Sequence, residues 1–317
     1  MNGTAEGAEQ TRADGGSPGG RAPGGEAPGG GTPGGRTRLR LRAALAGTTA
    51  RLGAAGVPSP SVDARALIAH AARTDRPLVL LDELPEDFDA RLEAATARRE
   101  AREPLQLILG SAPFRRLELR VRPGVFIPRP ETELALDLLR EHSTGELAHV
   151  VDLCAGSGAL GAAVLDELPA ARVLSVEIDE TAAQLTAENL ELAGPGRGRV
   201  LQADLLTQIP ELAAAAPVDA VLSNPPYIPP DAVPRDPEVI EHDPHRALFG
   251  GGEDGLEVPR AVIAWSARLL RPGGVLIMEH ADVQGPAARE AASEHGGFDL
   301  LSTAPDLTGR EDRKSVV

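Results

Sequence analysis

The fold of this chain is decided by one stretch, His149-Val150-Val151-Asp152-Leu153-Cys154-Ala155-Gly156-Ser157-Gly158. Its first five residues form a largely apolar run that predicts a buried strand, and the glycines that follow predict a turn into a helix. Because Gly161 comes three residues later, the glycines also fit the G-x-G-x-x-G pattern of dinucleotide-binding proteins and leave the ligand open. The acidic Asp152 just before the turn favours a ligand with an amino group over a pyrophosphate.

Short apolar runs and helical stretches alternate on the carboxyl side of this stretch. The apolar runs lie at residues 173–176, 200–203, 220–222 and 275–278, and helical stretches such as 181–192 and 257–270 separate them. This alternation predicts an α/β fold with a mostly parallel, doubly wound sheet. Ligands of such sheets bind beyond the carboxyl ends of the strands, so the residues that follow the strands are the candidates for a site.

Acidic residues stand at the carboxyl ends of the first three predicted strands, at Asp152, Glu177 and Asp204. A carboxylate such as Glu177 can accept both hydrogen bonds of a ribose diol. No lysine or arginine stands among the three acids to hold phosphates, so a cationic cofactor, S-adenosylmethionine, fits better than NAD or ATP. Each acid taken singly is equally explained as a cap of the following helix.

The fourth predicted strand leads into Asn224-Pro225-Pro226-Tyr227, which we call the hook. Proline has no N–H and holds φ at about −65°, so this loop is rigid and rich in hydrogen-bond acceptors. The side-chain oxygen of Asn224 and the carbonyl of Pro225 can hold both N–H bonds of a planar –NH₂ group, while Tyr227 covers one face. An ordinary turn after a strand is the alternative interpretation.

The composition limits the possible functions. A formal net charge of −15 argues against a nucleic-acid-binding surface, and we expect no direct sequence-specific binding of nucleic acid. The single cysteine, Cys154, excludes an internal disulfide, and we interpret it as a small buried residue rather than a nucleophile. No signal segment or long apolar run is present, which predicts a cytoplasmic protein without a membrane partner. His242 and His245 have a metal-like spacing, but we favour a solvated or substrate-facing loop and expect no metal.

The chain divides into segments of different character. Residues 1–37 hold 13 glycines and four prolines, which predicts a disordered tail. Helical periodicity over 38–103 predicts a small helical domain, or a cap on a larger one. Strict alternation from Arg116 to Arg122 predicts one arm of a β-hairpin that links the two parts, over 104–127.

Several motifs together resemble the HemK/PrmC family, which are class I S-adenosylmethionine-dependent methyltransferases that methylate a glutamine side-chain amide in peptide-chain release factors. The matching segments are 104–106, 108–110, 126–133, 152–158, 224–227, 252–256 and 270–274. Segment 126–133, Phe-Ile-Pro-Arg-Pro-Glu-Thr-Glu, is the most discriminating, because many amino-group methyltransferases share Asn-Pro-Pro-Tyr without it. The resemblance runs from about residue 38 to residue 310.

The resemblance implies a helical substrate-recognition domain at 38–103 and a Rossmann-like catalytic domain at 128–311. It assigns glutamine binding and catalysis to Asn224, Pro225, Pro226 and Tyr227. It assigns S-adenosylmethionine binding to Asp152, Cys154, Ala155, Gly156, Ser157, Gly158, Glu177, Asp204, Leu205 and Asn224, with Glu177 at the ribose and Asp204-Leu205 at the adenine. The protein departs from the family at Leu107, usually Tyr, at Cys154-Ala155, usually Gly-Thr, and at Glu177, usually Asp.

Other functions stay open beside methylation of a release factor. A ribosomal protein is an alternative source of the glutamine, and an adenine in nucleic acid also presents a planar –NH₂ group, although the acidic charge opposes the latter. A catalytically inactive, cofactor-binding interaction protein is the non-enzymatic alternative, which the intact hook disfavours.

The last six residues, 312–317, are interpreted as a non-native tail. Their Lys314 is the only lysine among 32 basic residues, and the six residues match one reading frame of a common sequencing adapter. Because the family usually continues through a last strand after 306–310, we expect an unfilled place in the sheet.

Overall fold

The computed structural model describes residues 33–232, 236–304 and 314–316. The predicted disorder therefore lies largely outside the described residues, but helix α1 begins at Pro33, inside the segment 1–37. Proline is well tolerated in the first turn of a helix, so Pro33 is compatible with a helix that begins there.

The described chain contains helices and strands in an order that changes from helical to alternating. The helices are α1 Pro33–Ala54, α2 Pro60–Ala71, α3 Phe88–Glu100, α4 Leu105–Leu109, α5 Leu134–His142, α6 Ala159–Glu167, α7 Glu180–Ala193, α8 Pro210–Ala213, α9 Pro237–His242, α10 His245–Leu248, α11 Glu257–Leu269 and α12 Gly285–His295, with 3₁₀ helices at Leu78–Leu80 and Pro130–Glu133. The strands are β1 Ser111–Phe114, β2 Leu117–Arg120, β3 His149–Leu153, β4 Arg172–Glu177, β5 Gly198–Gln202, β6 Val218–Ser223, β7 Leu270–Glu279, β8 Ser302–Ala304 and β9 Lys314–Val316.

Helices α1–α3 enclose a separate apolar core. Leu52, Leu67, Ile68 and Phe88 are fully buried in it. These residues come from three different helices, so each amphipathic helix buries its apolar side against the other two. The helical domain predicted from periodicity is confirmed.

Strands β1 and β2 form the predicted hairpin between this domain and the sheet. They pair antiparallel, with Ala112 opposite Leu119 and Phe114 opposite Leu117. Phe114 and Leu119 are fully buried, whereas Glu118 and Arg120 between and after them are exposed. The period-two alternation thus places one face of the hairpin on the core of the catalytic domain.

Five strands form a parallel sheet in the order β5-β4-β3-β6-β7. Buried apolar side chains pack on both faces in two clusters, one with α5 and α6 and one with α11 and α12. The predicted doubly wound α/β fold is confirmed. Leu153 pairs with Val176 on one side and with Ser223 on the other, so three strands end side by side. Their carboxyl ends present one continuous edge for a site.

The sheet continues past β7 through β9 to β8. Strand β9 pairs antiparallel with both neighbours, with Met278 and Thr303 opposite Ser315. The place expected to be unfilled is therefore occupied by Lys314–Val316, while 312, 313 and 317 lie outside the described residues. Within the described ranges, no helix has the length and apolar character needed to cross a membrane.

Candidate active site

A cavity of about 440 Å³ lies at the carboxyl ends of the parallel strands. Of the thirteen residues predicted for the site, twelve line it, and they are Asp152, Cys154, Ala155, Gly156, Ser157, Glu177, Asp204, Leu205, Asn224, Pro225, Pro226 and Tyr227. Gly158 does not line the cavity. It is the residue before α6, with φ of 78°, and a side chain there would press against Thr186. The fold thus brings the predicted glycine loop, the strand-end acids and the hook to one cavity.

Two polar residues of α7 form hydrogen bonds with the backbone of the glycine loop. Thr186 donates from Oγ1 to the carbonyl of Gly156 over 2.9 Å. Asn189 donates from Nδ2 to the carbonyls of Ser157 and Arg120, over 2.9 and 3.0 Å. Both side chains are fully buried. They were missed from the sequence, although their spacing of three residues on the apolar face of a predicted helix is a signal that could have found them.

Asp152 is a buried carboxyl group with two differently placed oxygens. Oδ2 accepts hydrogen bonds from the N–H of Gly161 over 3.1 Å and from Oγ of Ser175 over 3.5 Å. Oδ1 is buried without a hydrogen-bond partner among the described residues. Burial raises the pKa of Asp152 to about 7. A side chain at Gly161 would come within 3.0 Å of Oγ of Ser175 and 3.1 Å of Oδ2 of Asp152, so glycine lets α6 approach the strand. The unpartnered Oδ1 suits a cationic amino group.

Glu177 uses its carboxylate to fold the loops around it. Oε2 accepts from the N–H of Gly156 over 2.7 Å, and Oε1 accepts from the N–H groups of Ile178 and Asp179, each over 2.9 Å. A glutamate is long enough to reach these groups from the end of β4. Since each carboxylate oxygen has two lone pairs, these three bonds leave one acceptor position, on Oε2, for a ribose hydroxyl. The ribose role stays a prediction.

Asp204 and Leu205 form the far wall of the cavity. Asp204 accepts through Oδ1 from the N–H of Leu206 over 2.9 Å, which fixes the turn after β5. The carbonyl of Leu205 accepts from Nε1 of the buried Trp265 over 2.9 Å. The turn is thereby tied to α11, and its assignment to the adenine stays a prediction.

The hook is supported by residues far away in sequence. Nδ2 of Asn224 donates to Oγ1 of Thr132 over 3.1 Å, and Oγ1 of Thr132 donates to Oε2 of Glu279 over 2.9 Å. The hydroxyl of Tyr227 lies 3.5 Å from the other oxygen of Glu279. Nε2 of Gln284 donates to the carbonyl of Tyr227 over 2.8 Å. Thr132, Glu279 and Gln284 were missed, because only the folded chain brings them to the hook.

His242 lies in α9 and His245 in α10, two short helices after the hook. No group of three or more metal-ligating side chains occurs in the described part of the chain. His245 stacks on Phe249, with 4.1 Å between ring centroids, in the segment that covers the cavity. Asp243 is buried and binds Nη2 of Arg129 over 2.5 Å. The stretch predicted as a loop contains the short helices α9 and α10, and residues of α10 line the cavity.

Cys154 has the backbone conformation of a glycine, with φ of 60°. A residue with a Cβ is unfavourable in this left-handed region, which explains why the family usually has glycine here. Burial raises the pKa of the Cys154 thiol well above its usual value, and the nearby carboxylates of Glu177 and Asp152 add to the effect. A thiol in this state is a poor nucleophile, which supports its interpretation as part of the loop.

The chemistry of the cavity fits S-adenosylmethionine, which carries an ammonium and a sulfonium cation. Among the described residues that line the cavity, five are acidic and two are arginines. One of these arginines, Arg129, is already paired with Asp243. The buried, unpartnered oxygen of Asp152 can accept a hydrogen bond from such an ammonium group. Gly156 has open space where a side chain would lie, so the loop allows close approach.

Known protein families match both the helical domain and the part of the chain that contains the parallel sheet. A family model described as the PrmC N-terminal domain matches residues 43–110, and one described as a methyltransferase small domain matches residues 116–242. The release factor glutamine methyltransferase of Streptomyces coelicolor is 46% identical over 276 residues, covering 85% of this chain and 95% of that protein. The release factor glutamine methyltransferase of Mycolicibacterium smegmatis is 44% identical over 274 residues, covering 86% and 95%. A solved methyltransferase structure from Pyrococcus furiosus aligns with a TM-score of 0.47 at 14% identity, over 71% of this chain and 95% of that chain.

The parallel sheet, the glycine loop and the matching methyltransferase model define a class I S-adenosylmethionine-dependent methyltransferase. The Streptomyces coelicolor and Mycolicibacterium smegmatis relatives, both above 40% identity, align over nearly their whole length, and both are release factor glutamine methyltransferases. The chain belongs to the release factor glutamine methyltransferase family, which confirms the resemblance seen in the sequence.

Proposed function

We propose that this protein transfers a methyl group from S-adenosylmethionine to the side-chain amide nitrogen of a glutamine in a peptide-chain release factor, in the cytoplasm. The observation that carries the proposal is the hook, whose Asn224 lines the cavity and donates from its amide nitrogen to Thr132, so that the amide oxygen is left to accept a hydrogen bond. Release factor is the substrate in the names of the curated relatives. A planar –NH₂ group is what an acceptor-rich hook binds best.

The proposed mechanism depends on position rather than on acid–base chemistry. The nitrogen of an amide is a poor nucleophile, because its lone pair is delocalised into the carbonyl. Oδ1 of Asn224 and the carbonyl of Pro225 hold its two N–H bonds, so that the lone pair faces the cofactor loop. Such positioning contributes roughly 7–11 kcal/mol in favourable cases. The new C–N bond forms as the bond between the methyl carbon and the sulfonium sulfur breaks, which leaves S-adenosylhomocysteine, and one N–H proton is lost to water.

The cofactor supplies an electrophilic methyl group when it is bound. We assign its amino group to Asp152, its methionine portion to Cys154–Gly158, its ribose to Glu177 and its adenine to Asp204-Leu205. Tyr227 faces the transferring methyl group and contributes a cation–π contact of ~0.5–2 kcal/mol. The helical domain, matched by the family model over 43–110, is assigned to recognition of the protein substrate.

The test is a methylation assay with isotope-labelled S-adenosylmethionine and separate purified substrates. The expected result is label in release factor, located by mass spectrometry on one glutamine side chain, with a rate at least about 100-fold lower for Asn224→Ala. Label in ribosomal proteins or in adenine of nucleic acid, with none in release factor, would replace the proposed substrate. Cofactor binding without transfer to any of these substrates would identify a non-enzymatic role.

A further inference from the structure

Behind the hook, a chain of two hydrogen bonds connects Asn224 to a buried carboxylate. Nδ2 of Asn224 donates to Thr132 over 3.1 Å, and the Thr132 hydroxyl donates to Glu279 over 2.9 Å. Thr132 and Glu279 are 5% and 7% exposed, so water does not compete freely for these bonds. The three residues come from the end of β6, from the 3₁₀ helix Pro130–Glu133 and from the end of β7. The sheet therefore fixes the positions of Asn224 and Glu279 relative to each other.

The direction of these bonds determines which atom of Asn224 faces the cavity. A hydroxyl group has one proton, and Thr132 gives its proton to Oε2 of Glu279. Towards Asn224, Thr132 can then act only as an acceptor. An acceptor binds the –NH₂ half of the Asn224 amide, which leaves the oxygen half for the cavity. The carboxylate of Glu279 thus sets the polarity of the hook through Thr132.

We infer that Thr132 and Glu279 are positioning residues that hold the Asn224 oxygen towards the target and so make the hook select an amide over a carboxylate. The inference rests on the proposed function, in which Asn224 binds the target –NH₂ group. If the Asn224 amide turned over, its own –NH₂ would face the target –NH₂, and two donors would oppose each other. The turned-over amide would instead bind a carboxylate, which offers only acceptors.

The Thr132–Glu279 pair can be tested by changing one hydrogen-bonding atom at a time. Thr132→Val keeps the shape but removes the hydroxyl, and Thr132→Ser keeps the hydroxyl. We expect Thr132→Val to lower kcat on release factor on the order of 100-fold, as for a misplaced reacting group, and to lower Tm because Glu279 loses a hydrogen bond, while affinity for S-adenosylhomocysteine stays close to wild type. Thr132→Ser is expected to recover most of kcat.

A second measurement distinguishes a change in the orientation of the Asn224 amide from a general loss of structure. Glu279→Gln can donate to Thr132, which then donates to Asn224 and turns its amide over. Binding is measured by calorimetry, with S-adenosylhomocysteine present, to release factor and to a release factor whose target glutamine is changed to glutamate. Wild type is expected to prefer the glutamine form, and both Glu279→Gln and Thr132→Val are expected to lose this preference.

Two results would overturn the inference while the wild-type enzyme methylates release factor. One is equal kcat for Thr132→Val and Thr132→Ser, and the other is an unchanged preference for glutamine in Glu279→Gln. Failure of the wild-type enzyme to methylate release factor would instead contradict the proposed function. If Thr132→Val does not fold, the Glu279→Gln preference decides alone.

Discussion

Asp152 lies in an environment that disfavours the negatively charged form of its carboxyl group. Its ordinary pKa of 3.8 is raised to about 7 by burial in the floor of the cavity, although Gly161 and Ser175 donate hydrogen bonds to it. The folded protein then binds more protons than the unfolded chain between about pH 4 and pH 7. The free energy of unfolding therefore falls as pH rises through this window, and the destabilisation is complete above pH 7.

Replacing the carboxyl group by an amide of the same shape should separate stability from binding. We expect Asp152→Asn to raise the Tm of the ligand-free protein, by more at pH 8 than at pH 5, because the amide has no charge to bury. Affinity for S-adenosylhomocysteine should increase from pH 5.5 to pH 7 in the wild type, and should be weaker and flat in the variant. Calorimetric scans and titrations at each pH measure both effects. An identical pH dependence in both proteins would exclude Asp152 as the partner of the ligand amino group.

Asn224 is expected to act on the substrate more than on the cofactor. Asn224→Ala removes the oxygen that holds the target N–H, and the loss of one such oriented group costs about 10²–10³ in kcat. Affinity for S-adenosylhomocysteine should stay largely unchanged, since the glycine loop and the strand-end acids are intact. Single-turnover methylation of release factor and calorimetry give the two values. An Asn224→Ala enzyme as active as wild type would contradict the assigned role.

The residues of the site differ in how far the sequence could predict them. Asp152, Glu177 and Asn224 were predicted because each follows an apolar run, and parallel strands bring their ends together. Thr132 was inside a recognised motif, but its role needs Asn224, which is 92 residues away. Pairing over that distance depends on the tertiary fold, and no local pattern reports it.

At the scale of elements, the hook is braced by the glycine-rich loop that precedes α11. The N–H of Gly250 donates to the carbonyl of Ile228 over 3.1 Å, and the N–H of Ile228 donates to Leu248 over 2.8 Å. A side chain at Gly250 would overlap the carbonyl of Gly255 and would come within 2.6 Å of the Pro226 carbonyl. The backbone of the hook therefore leaves no room for a methyl group at this position.

Gly250→Ala should displace the hook. We expect it to lower the free energy of unfolding by about 1–3 kcal/mol through overpacking and to reduce kcat on release factor. Gly47→Ala is the matched control, because Gly47 lies in α1 with open space around it. The control should stabilise the protein by about 0.5–1 kcal/mol, as alanine does in a helix. Urea unfolding and methylation rates test both, and a Gly250→Ala variant as active and stable as wild type would show that the hook is not braced there.

The elements themselves were predicted well where the pattern is local. Strand β3 runs over His149–Leu153, as its apolar residues indicated. Strand β7 begins at Leu270 rather than at 275, because pairing with Val218 extends it through a proline and two glycines that have low strand propensity. The helix α9 was missed, since it is short and is held in place by residues of another domain.

At the scale of the whole molecule, ion pairs between α9 and the helical domain join that domain to the catalytic domain. Glu238 of α9 accepts from Nε and Nη2 of Arg102 over 2.8 and 2.7 Å, and from Nη1 of Arg99 over 3.1 Å. Arg99 also binds Asp63 over 2.8 Å, and its side chain is 7% exposed. Loss of Glu238 would leave the poorly solvated guanidinium groups of Arg99 and Arg102 without this partner. The network therefore contributes more to stability than a surface ion pair does.

Because α9 lies between the hook and α10, and both the hook and α10 line the cavity, this network connects the helical domain to the site. We expect Glu238→Ala to lower the free energy of unfolding by about 1–3 kcal/mol, the value of hydrogen bonds to charged groups. It should also raise KM for intact release factor more than KM for a short peptide with the target glutamine, which does not reach the helical domain. Asp89→Ala, which removes the exposed pair with Arg40, is the control and should cost less than about 1 kcal/mol. Equal changes in KM for protein and peptide would show that the network stabilises the fold without orienting the two domains for the substrate.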